Sequence, residues 1–130
     1  MVPVIKDADQ KSLKEISLEL IRLSEDARSG KIQINDLQGG TFTISSLGGF
    51  GGVGFTPIIN PPEVAILGVA RAQIRPIMIK GKFLPRLILP LSLSYDHRVI
   101  DGVGGIQFTS ALKELLENPE SYLSEEISIG

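Results

Sequence analysis

Residues 91–102 read LSLSYDHRVIDG and join a strand pattern to the start of a helix. In the first half, apolar residues alternate with serines, which predicts a β-strand with its leucines and tyrosine on one face. Asp101 and the glycine after it precede a helical pattern. His97, the only histidine of the chain, falls between the two elements. Because an unperturbed imidazole titrates near neutral pH, this junction is where proton-transfer chemistry is expected.

The helix after this stretch is predicted to begin at Asp101 and Gly102 and to end at Asn118-Pro119, since proline cannot continue a helix. Glu120 to Leu123 fit one further turn, and Ser124 to Gly130 look irregular. The helix's apolar residues recur at i, i+3, i+4, i+7 and i+8 and form one apolar face: Phe108, Ala111, Leu112, Leu115 and Leu116.

Two long β-segments precede the central stretch. Val64 to Lys80 begins with a run that is apolar on both faces, which is typical of a strand buried on both sides. A turn at Lys80-Gly81-Lys82 leads into a return strand from Phe83 to Tyr95. Pro85 and Pro90 lack a backbone N–H and therefore indicate an edge or a bulge.

The N-terminal part alternates the same element types. Val2 to Ile5 is predicted to be a short strand, and Ser12 with Glu15 fits a capping box that opens a helix ending at Gly30. Thr41 to Ser46 is predicted to be a strand with Phe42 and Ile44 on one face and Thr43 and Ser45 on the other. These elements predict an α/β layer sandwich in which helices cover one sheet.

A glycine-rich loop, residues 47–56, contains Gly49, Gly51 and Gly54 in the spacing GxGxxG. In a dinucleotide site these glycines open a helix whose N-terminus receives the pyrophosphate. Prolines at 57, 61 and 62 exclude such a helix here. The favoured interpretation is a backbone that bends sharply or packs closely against a neighbour.

Composition excludes several classes of function. The 130 residues are 42% hydrophobic and carry a formal net charge of −2 with no cysteine. This predicts one globular domain, or part of one, without disulfides, thiolate nucleophiles or a metal site. Basic residues cluster only between Lys80 and Arg86, so no nucleic-acid partner is expected. With neither a membrane-length apolar run nor a signal peptide, we expect a soluble cytoplasmic protein, or a mitochondrial matrix protein in a eukaryote.

Three segments together resemble one enzyme family. DHRVIDG at residues 96–102 resembles the DHRxxDG signature of dihydrolipoamide acyltransferases, the core catalytic components of 2-oxo acid dehydrogenase complexes. FTISSLG at 42–48 and PEVAILG at 62–68 resemble further signatures of that family in the same order. The similarity runs from about Val2 to about Leu123. Ser45 and the LPLSLSY segment resemble the acetyl-transferring branch of the pyruvate dehydrogenase complex.

This resemblance implies a fold, an activity and a site. It implies a chloramphenicol-acetyltransferase-like two-layer sandwich with a mixed sheet, and acetyl transfer between dihydrolipoamide and coenzyme A. His97 would be the general base that deprotonates the thiol, and Ser45 would hydrogen-bond the oxyanion. In the family these two residues meet across a subunit boundary of a homotrimer, which belongs to a larger symmetric core. Coenzyme A is then a substrate, and a separate lipoyl domain and other components of the complex are partners.

Each assignment has an alternative. Ser45 could be a strand serine paired with Thr43. Asp101 could cap the last helix, or could fill the family role of pairing with an arginine to hold the site. Arg98 could be that arginine, although the family's own partner precedes residue 1. Gly102 is expected to permit tight packing at the start of the helix.

The family pattern also predicts that residues 1–130 are the C-terminal part of a catalytic domain, incomplete at the N-terminus and without lipoyl or subunit-binding domains. Such a fragment could be inactive alone. Two other functions stay open, namely a non-catalytic assembly module and a chloramphenicol-type O-acetyltransferase.

Overall fold

The computed structural model describes residues 1–48 and 52–123 of the chain. Gly49 and Gly51 of the predicted glycine motif, and the segment 124–130, lie outside the described residues. Contacts divide the chain into two compact units, one formed by Met1–Gly40 with the residues from Ser110 onward, the other by Thr41–Thr109. The helices and strands are α1 (Leu13–Ser29), β1 (Thr43–Ser46), β2 (Ala65–Val69), β3 (Gln73–Ile79), β4 (Lys82–Ile88), β5 (Leu91–Tyr95), α2 (Gly102–Glu117) and α3 (Glu120–Leu123).

Helix α1 begins with the predicted capping box. The Ser12 hydroxyl accepts from the Glu15 backbone N–H at 3.2 Å, and the Glu15 carboxylate accepts from the Ser12 N–H at 2.7 Å. These bonds satisfy two N–H groups that lack an intrahelical partner, and the bond from the Ser12 N–H is the largest cause lowering the Glu15 pKa. Gly30 ends the helix with φ 71°, in the left-handed region that favours glycine.

The predicted strand at Val2 to Ile5 is wrong. This segment is irregular, and within it the Val4 N–H donates to the Asp36 carbonyl at 2.7 Å. A β-branched composition favours a strand only where a neighbouring strand supplies a ladder, and that condition is not met here.

A mixed three-stranded sheet forms the centre of the second unit. Its order is β1-β2-β5, with β2 parallel to β1 and antiparallel to β5. Residues 65–68 of β2 are all buried, which confirms the prediction of a strand covered on both faces. The mixed α/β architecture predicted from the sequence is therefore present.

The pairing register of the strands shows which residues lie on each face of this sheet. Ala65 lies opposite Tyr95 on the face that packs against the first turns of α2. On the same side, the Phe42 and Phe108 rings lie 5.5 Å apart between centroids. The other face carries the row Ser45, Gly68 and Ser92. The predicted alternation along β1 and β5 is thus confirmed.

Both long strands predicted from the sequence are interrupted. The first splits at residues 70–72 into β2 and β3, and the second splits at residues 89–90 into β4 and β5. Ala70 still donates its N–H to the Pro90 carbonyl at 3.1 Å, but Pro90 has no N–H to return. The three-stranded sheet therefore ends there, and β3 and β4 continue as a separate two-stranded ribbon.

The ribbon is closed by the predicted turn. Ile79 pairs with Lys82, and Lys80 and Gly81 both have positive φ, 48° and 80°. Positive φ at both central residues is the geometry of a type I′ turn, which matches the right-handed twist of a hairpin. Pro76 lies opposite Pro85. Among the residues that the structure describes, neither strand has a second neighbour that would need the missing N–H groups.

One face of the ribbon is entirely apolar. Its cross-strand pairs are Ile74 with Leu87, Pro76 with Pro85, and Met78 with Phe83. The exposed fraction is 75% at Ile74, 72% at Leu87 and 69% at Phe83. A contiguous exposed apolar face of this kind is typical of a surface that another polypeptide covers. Within residues 1–48 and 52–123, no helix has the length and hydropathy to cross a membrane.

Substituting the capping serine tests the local stability of α1. Ser12→Ala removes the acceptor for the Glu15 N–H, and we expect the free energy of unfolding to fall by about 1 kcal/mol. Chemical denaturation of the full-length protein measures this. Ser12→Asp is the matched control, because aspartate also caps helices, and a loss equal to that of the alanine variant would contradict the capping role.

Candidate active site

His97 lies in a tight turn just beyond β5. The Asp96 N–H continues the sheet by donating to the Val64 carbonyl at 2.8 Å. The N–H groups of Val99 and Ile100 then both donate to the Asp96 carbonyl at 2.9 Å, which closes a turn around the histidine. The His97 side chain is exposed and therefore accessible to a substrate.

An aromatic ring adjoins the imidazole. The centroids of the Tyr95 and His97 rings lie 5.9 Å apart, with 34° between the ring planes. Tyr95 is itself held by α2, since a Cβ on Gly105 would lie 2.7 Å from the Tyr95 Cε1 atom. Only glycine fits this helix position without displacing the ring. The contact therefore links the helix, the tyrosine and the histidine.

Tight packing was expected at Gly102, but the structure places it at Gly105. A Cβ at Gly102 would meet no atom within 4 Å, whereas a Cβ at Gly105 would lie 2.7 to 3.0 Å from the Tyr95 ring and hydroxyl. Tyr95 and Gly105 were both missed by the sequence analysis. The available signals were the i, i+2 spacing of Tyr95 and His97, and a glycine within a helix, where it is unfavourable by about 1 kcal/mol unless packing requires it.

The charged neighbours of His97 pair with each other. Arg98 donates through Nε to Asp96 Oδ1 at 3.0 Å and through Nη2 to Asp96 Oδ2 at 2.8 Å. These bonds, with a further bond from the Arg98 backbone N–H, lower the pKa of Asp96 to about 2. Arg98 is thus bound to Asp96, and the hypothesis that it pairs with Asp101 is wrong within this chain.

Asp101 caps helix α2. Its Oδ1 accepts from the Gly104 N–H at 2.7 Å, which satisfies one of the free N–H groups of the first turn. This confirms the capping alternative for Asp101. A direct role in catalysis stays a prediction.

Ser45 lies in β1, half-buried, at the end of the sheet remote from His97. It shares a row with Gly68, and a Cβ at Gly68 would lie 2.9 Å from the Phe55 ring and 3.2 Å from Pro57. Thr43 donates its hydroxyl hydrogen to Glu63 at 2.8 Å. Because the Thr43 hydroxyl donates to Glu63, it does not donate to Ser45, and this contact gives no support to the alternative in which the two residues pair.

Ser45 and His97 do not meet within one chain. Ser45 pairs with Gly68, while Asp96 lies beside Val64 on the other side of β2. Four residues of strand and two strand spacings separate them, about 13 Å along the strands and about 10 Å across. Serine and histidine side chains cannot bridge that distance. Among the described residues, no group of three histidine or acidic side chains forms a metal site.

Comparison with known proteins identifies the family. The family described as 2-oxoacid dehydrogenases acyltransferase (catalytic domain) matches residues 1–124. The chain belongs to this acyltransferase family. A dihydrolipoyllysine-residue acetyltransferase component of the pyruvate dehydrogenase complex from Buchnera aphidicola is 54% identical over 90% of the chain, which covers 30% of that relative. The equivalent component from Pseudomonas aeruginosa is 53% identical over 95% of the chain and 22% of the relative.

Solved structures of acyltransferases share the fold. The dihydrolipoamide acetyltransferase of Azotobacter vinelandii is 54% identical with a TM-score of 0.89, over 93% of this chain and 50% of that one. The truncated catalytic core of a 2-oxoacid dehydrogenase complex from Thermoplasma acidophilum is 47% identical with a TM-score of 0.77, over 90% and 51%. The chain thus spans less than a third of these curated relatives and about half of these solved chains. In the Azotobacter enzyme, a serine, a histidine and an asparagine have been investigated for roles in the catalytic mechanism.

The contact between Gly105 and Tyr95 is testable by substitution. Gly105→Ala places a methyl group against the tyrosine ring, and we expect the free energy of unfolding to fall by about 1 to 3 kcal/mol. Thermal or denaturant unfolding of the full-length protein measures it. Gly102→Ala is the matched control, because it adds a methyl group to the same helix in open space. Equal stability of the two variants would contradict the close packing.

Proposed function

We propose that the chain carries the histidine and serine of a dihydrolipoamide acetyltransferase, which transfers acetyl between dihydrolipoamide and coenzyme A. One observation carries the proposal. In the Azotobacter acetyltransferase the investigated serine precedes the histidine by 52 residues, and the asparagine follows it by four. Ser45, His97 and Asp101 have the same spacings. The fold similarity and the exposure of His97 at a strand end support the same assignment.

His97 acts as the general base in this reaction. Its imidazole takes the proton from the attacking thiol, and the sulfur attacks the carbonyl carbon of the acetyl thioester. A free thiol of pKa near 8.5 is mostly protonated at neutral pH, so a positioned base accelerates the attack by about 10²- to 10⁴-fold. When the tetrahedral intermediate collapses, the C–S bond to the leaving thiolate breaks and the imidazolium returns its proton to that sulfur.

Ser45 donates its hydroxyl hydrogen to the oxyanion of the tetrahedral intermediate. A single positioned donor of this kind commonly contributes about 10²- to 10³-fold to the rate. Asp101 follows His97 by four residues and supports the site by capping α2. The Azotobacter enzyme has asparagine at the corresponding spacing. Because an asparagine side-chain oxygen also accepts from a helix N–H, the observed contact needs an acceptor rather than a charge.

The proposed site requires a second copy of the chain. Ser45 and His97 are too far apart within one chain, so a site that uses both takes the serine from one subunit and the histidine from a neighbour. We propose the homotrimer of the family as that arrangement, within a larger core that receives acetyl groups from a lipoyl domain. The exposed apolar face of the β3–β4 ribbon is consistent with burial in such an assembly.

Replacing the base tests the chemistry. His97→Ala in the full-length protein is expected to lower acetyl transfer from acetyl coenzyme A to dihydrolipoamide by at least about 10²-fold, since the general base is lost. The mass of the assembly, measured by light scattering, should stay unchanged. Turnover at the wild-type rate would remove His97 from the mechanism.

Mixing subunits tests the shared site. Ser45→Ala and His97→Ala subunits are unfolded and reassembled together at equal amounts, with each variant reassembled alone as the control. In a trimer with sites between subunits, every mixed trimer has one site with both residues, so turnover should return to about a quarter of the wild-type value. Turnover no higher than the average of the two separate variants would show that each site lies within one chain.

The assembly module is the second candidate, favoured by the same exposed ribbon face. It predicts oligomers of full mass whose transfer rate does not respond to His97→Ala. The O-acetyltransferase reading predicts acetylation of chloramphenicol with dihydrolipoamide inert, which the same assay detects when the acceptor is exchanged.

A further inference from the structure

Asp96 and Arg98 are bound to each other across the histidine between them. Three hydrogen bonds join them, since the Arg98 backbone N–H also donates to Asp96 Oδ1 at 3.0 Å beside the two bonds from the guanidinium. The two residues flank His97 in sequence. We call this arrangement the Asp96–Arg98 fork.

Stability alone does not explain the fork. The Arg98 side chain is 89% exposed, and exposed ion pairs generally contribute little to folding. A guanidinium held by both carboxylate oxygens, however, has a defined geometry that a single-point contact lacks. Asp96 is fixed in addition by the sheet bond to Val64 and by the turn bonds from Val99 and Ile100. The fork extends that order to the residue after His97.

We propose that Asp96 and Arg98 are positioning residues for His97, and that their fork holds the backbone on both sides of the histidine so that its imidazole meets the thiol in a reactive orientation. This inference rests on the proposed function of His97. Tyr95 limits the ring from one direction, and the fork limits the main chain that carries it. Because a misplacement of about 1 Å can reduce a rate by about 10²-fold, a small loss of order at this turn has a large effect on turnover.

The carboxylate of the fork is ionised at neutral pH. Hydrogen bonds from Arg98 lower the Asp96 pKa from 3.8 to about 2. A carboxylate with a depressed folded-state pKa contributes stability that is present above its ordinary pKa and is lost as the pH falls through the folded value. Asp96 is therefore ionised at neutral pH. The fork orders the site without acting as a pH switch.

Four variants of the full-length assembled protein test the fork. Asp96→Asn removes the charged acceptor, Arg98→Gln removes the guanidinium, the double variant removes both, and Arg98→Lys keeps the positive charge without the two-point geometry. We expect each to lower kcat by about 10- to 100-fold while the KM for coenzyme A stays within about twofold. The double variant should lose no more than either single variant, since each single variant already breaks the two-point pairing between the guanidinium and the carboxylate.

Asp26→Asn is the matched control. Asp26 accepts from Arg22 at 3.1 Å in another exposed arginine–aspartate pair, on helix α1. This variant should keep the wild-type kcat. Light scattering and the thermal midpoint of each variant establish that the assembly is intact under the assay conditions.

The outcomes separate the inference from the proposed function. Loss of turnover in His97→Ala together with wild-type kcat in the three single fork variants would overturn the inference alone. Wild-type turnover in His97→Ala would overturn the proposed function. Full activity of Arg98→Lys beside an inactive Arg98→Gln would show that charge matters instead of the fork. Additive losses in the double variant would show that the two residues act separately.

Discussion

The close contact between Gly105 and Tyr95 is the interaction on which the candidate site depends. It places the first turns of α2 directly on the sheet face formed by β2 and β5. A helix can approach a strand this closely only where no side chain intervenes. The Tyr95 ring is held by this contact and in turn lies beside the imidazole of His97. The close packing of α2 on the sheet therefore helps to fix the position of His97 beyond the end of β5.

Much of this arrangement could be predicted from the sequence. The capping box of α1, the buried β2, the hairpin turn at Lys80-Gly81 and the end of α2 all follow from local chemistry that acts within a few residues. The prediction of two uninterrupted strands was wrong, because the hydrophobic pattern alone does not reveal where a strand leaves one sheet and joins another. Pro90 was recognised as a residue that cannot donate, but whether this produces a bulge or a new sheet depends on distant residues.

The sequence indicated which residues to consider for the candidate site, but not which neighbours those residues contact. His97 was distinguished by being the only histidine, at a strand end. The pairing of Arg98 with Asp96 rather than Asp101 was not predicted, because the turn that brings residues 96 and 98 together is closed by bonds to the Asp96 carbonyl. The close contact of Gly105 with the sheet was not predicted either. Which helix glycine contacts the sheet depends on the direction of the helix, and periodicity does not specify that direction.

The exposure of His97 and its distance from Ser45 have a common physical consequence. A general base and an oxyanion donor are most effective where water is excluded, since fixed dipoles and charges interact more strongly at low dielectric. A single chain leaves the imidazole in solvent, and its nearest proposed hydroxyl partner lies at the opposite end of the sheet. Under the proposed function, association of subunits therefore brings Ser45 of one chain to His97 of another and also excludes water from the site. The bonds of the Asp96–Arg98 fork all lie within one chain. Under the same proposal, the turn that carries His97 is therefore ordered by its own subunit, and association brings the serine of a neighbour to it.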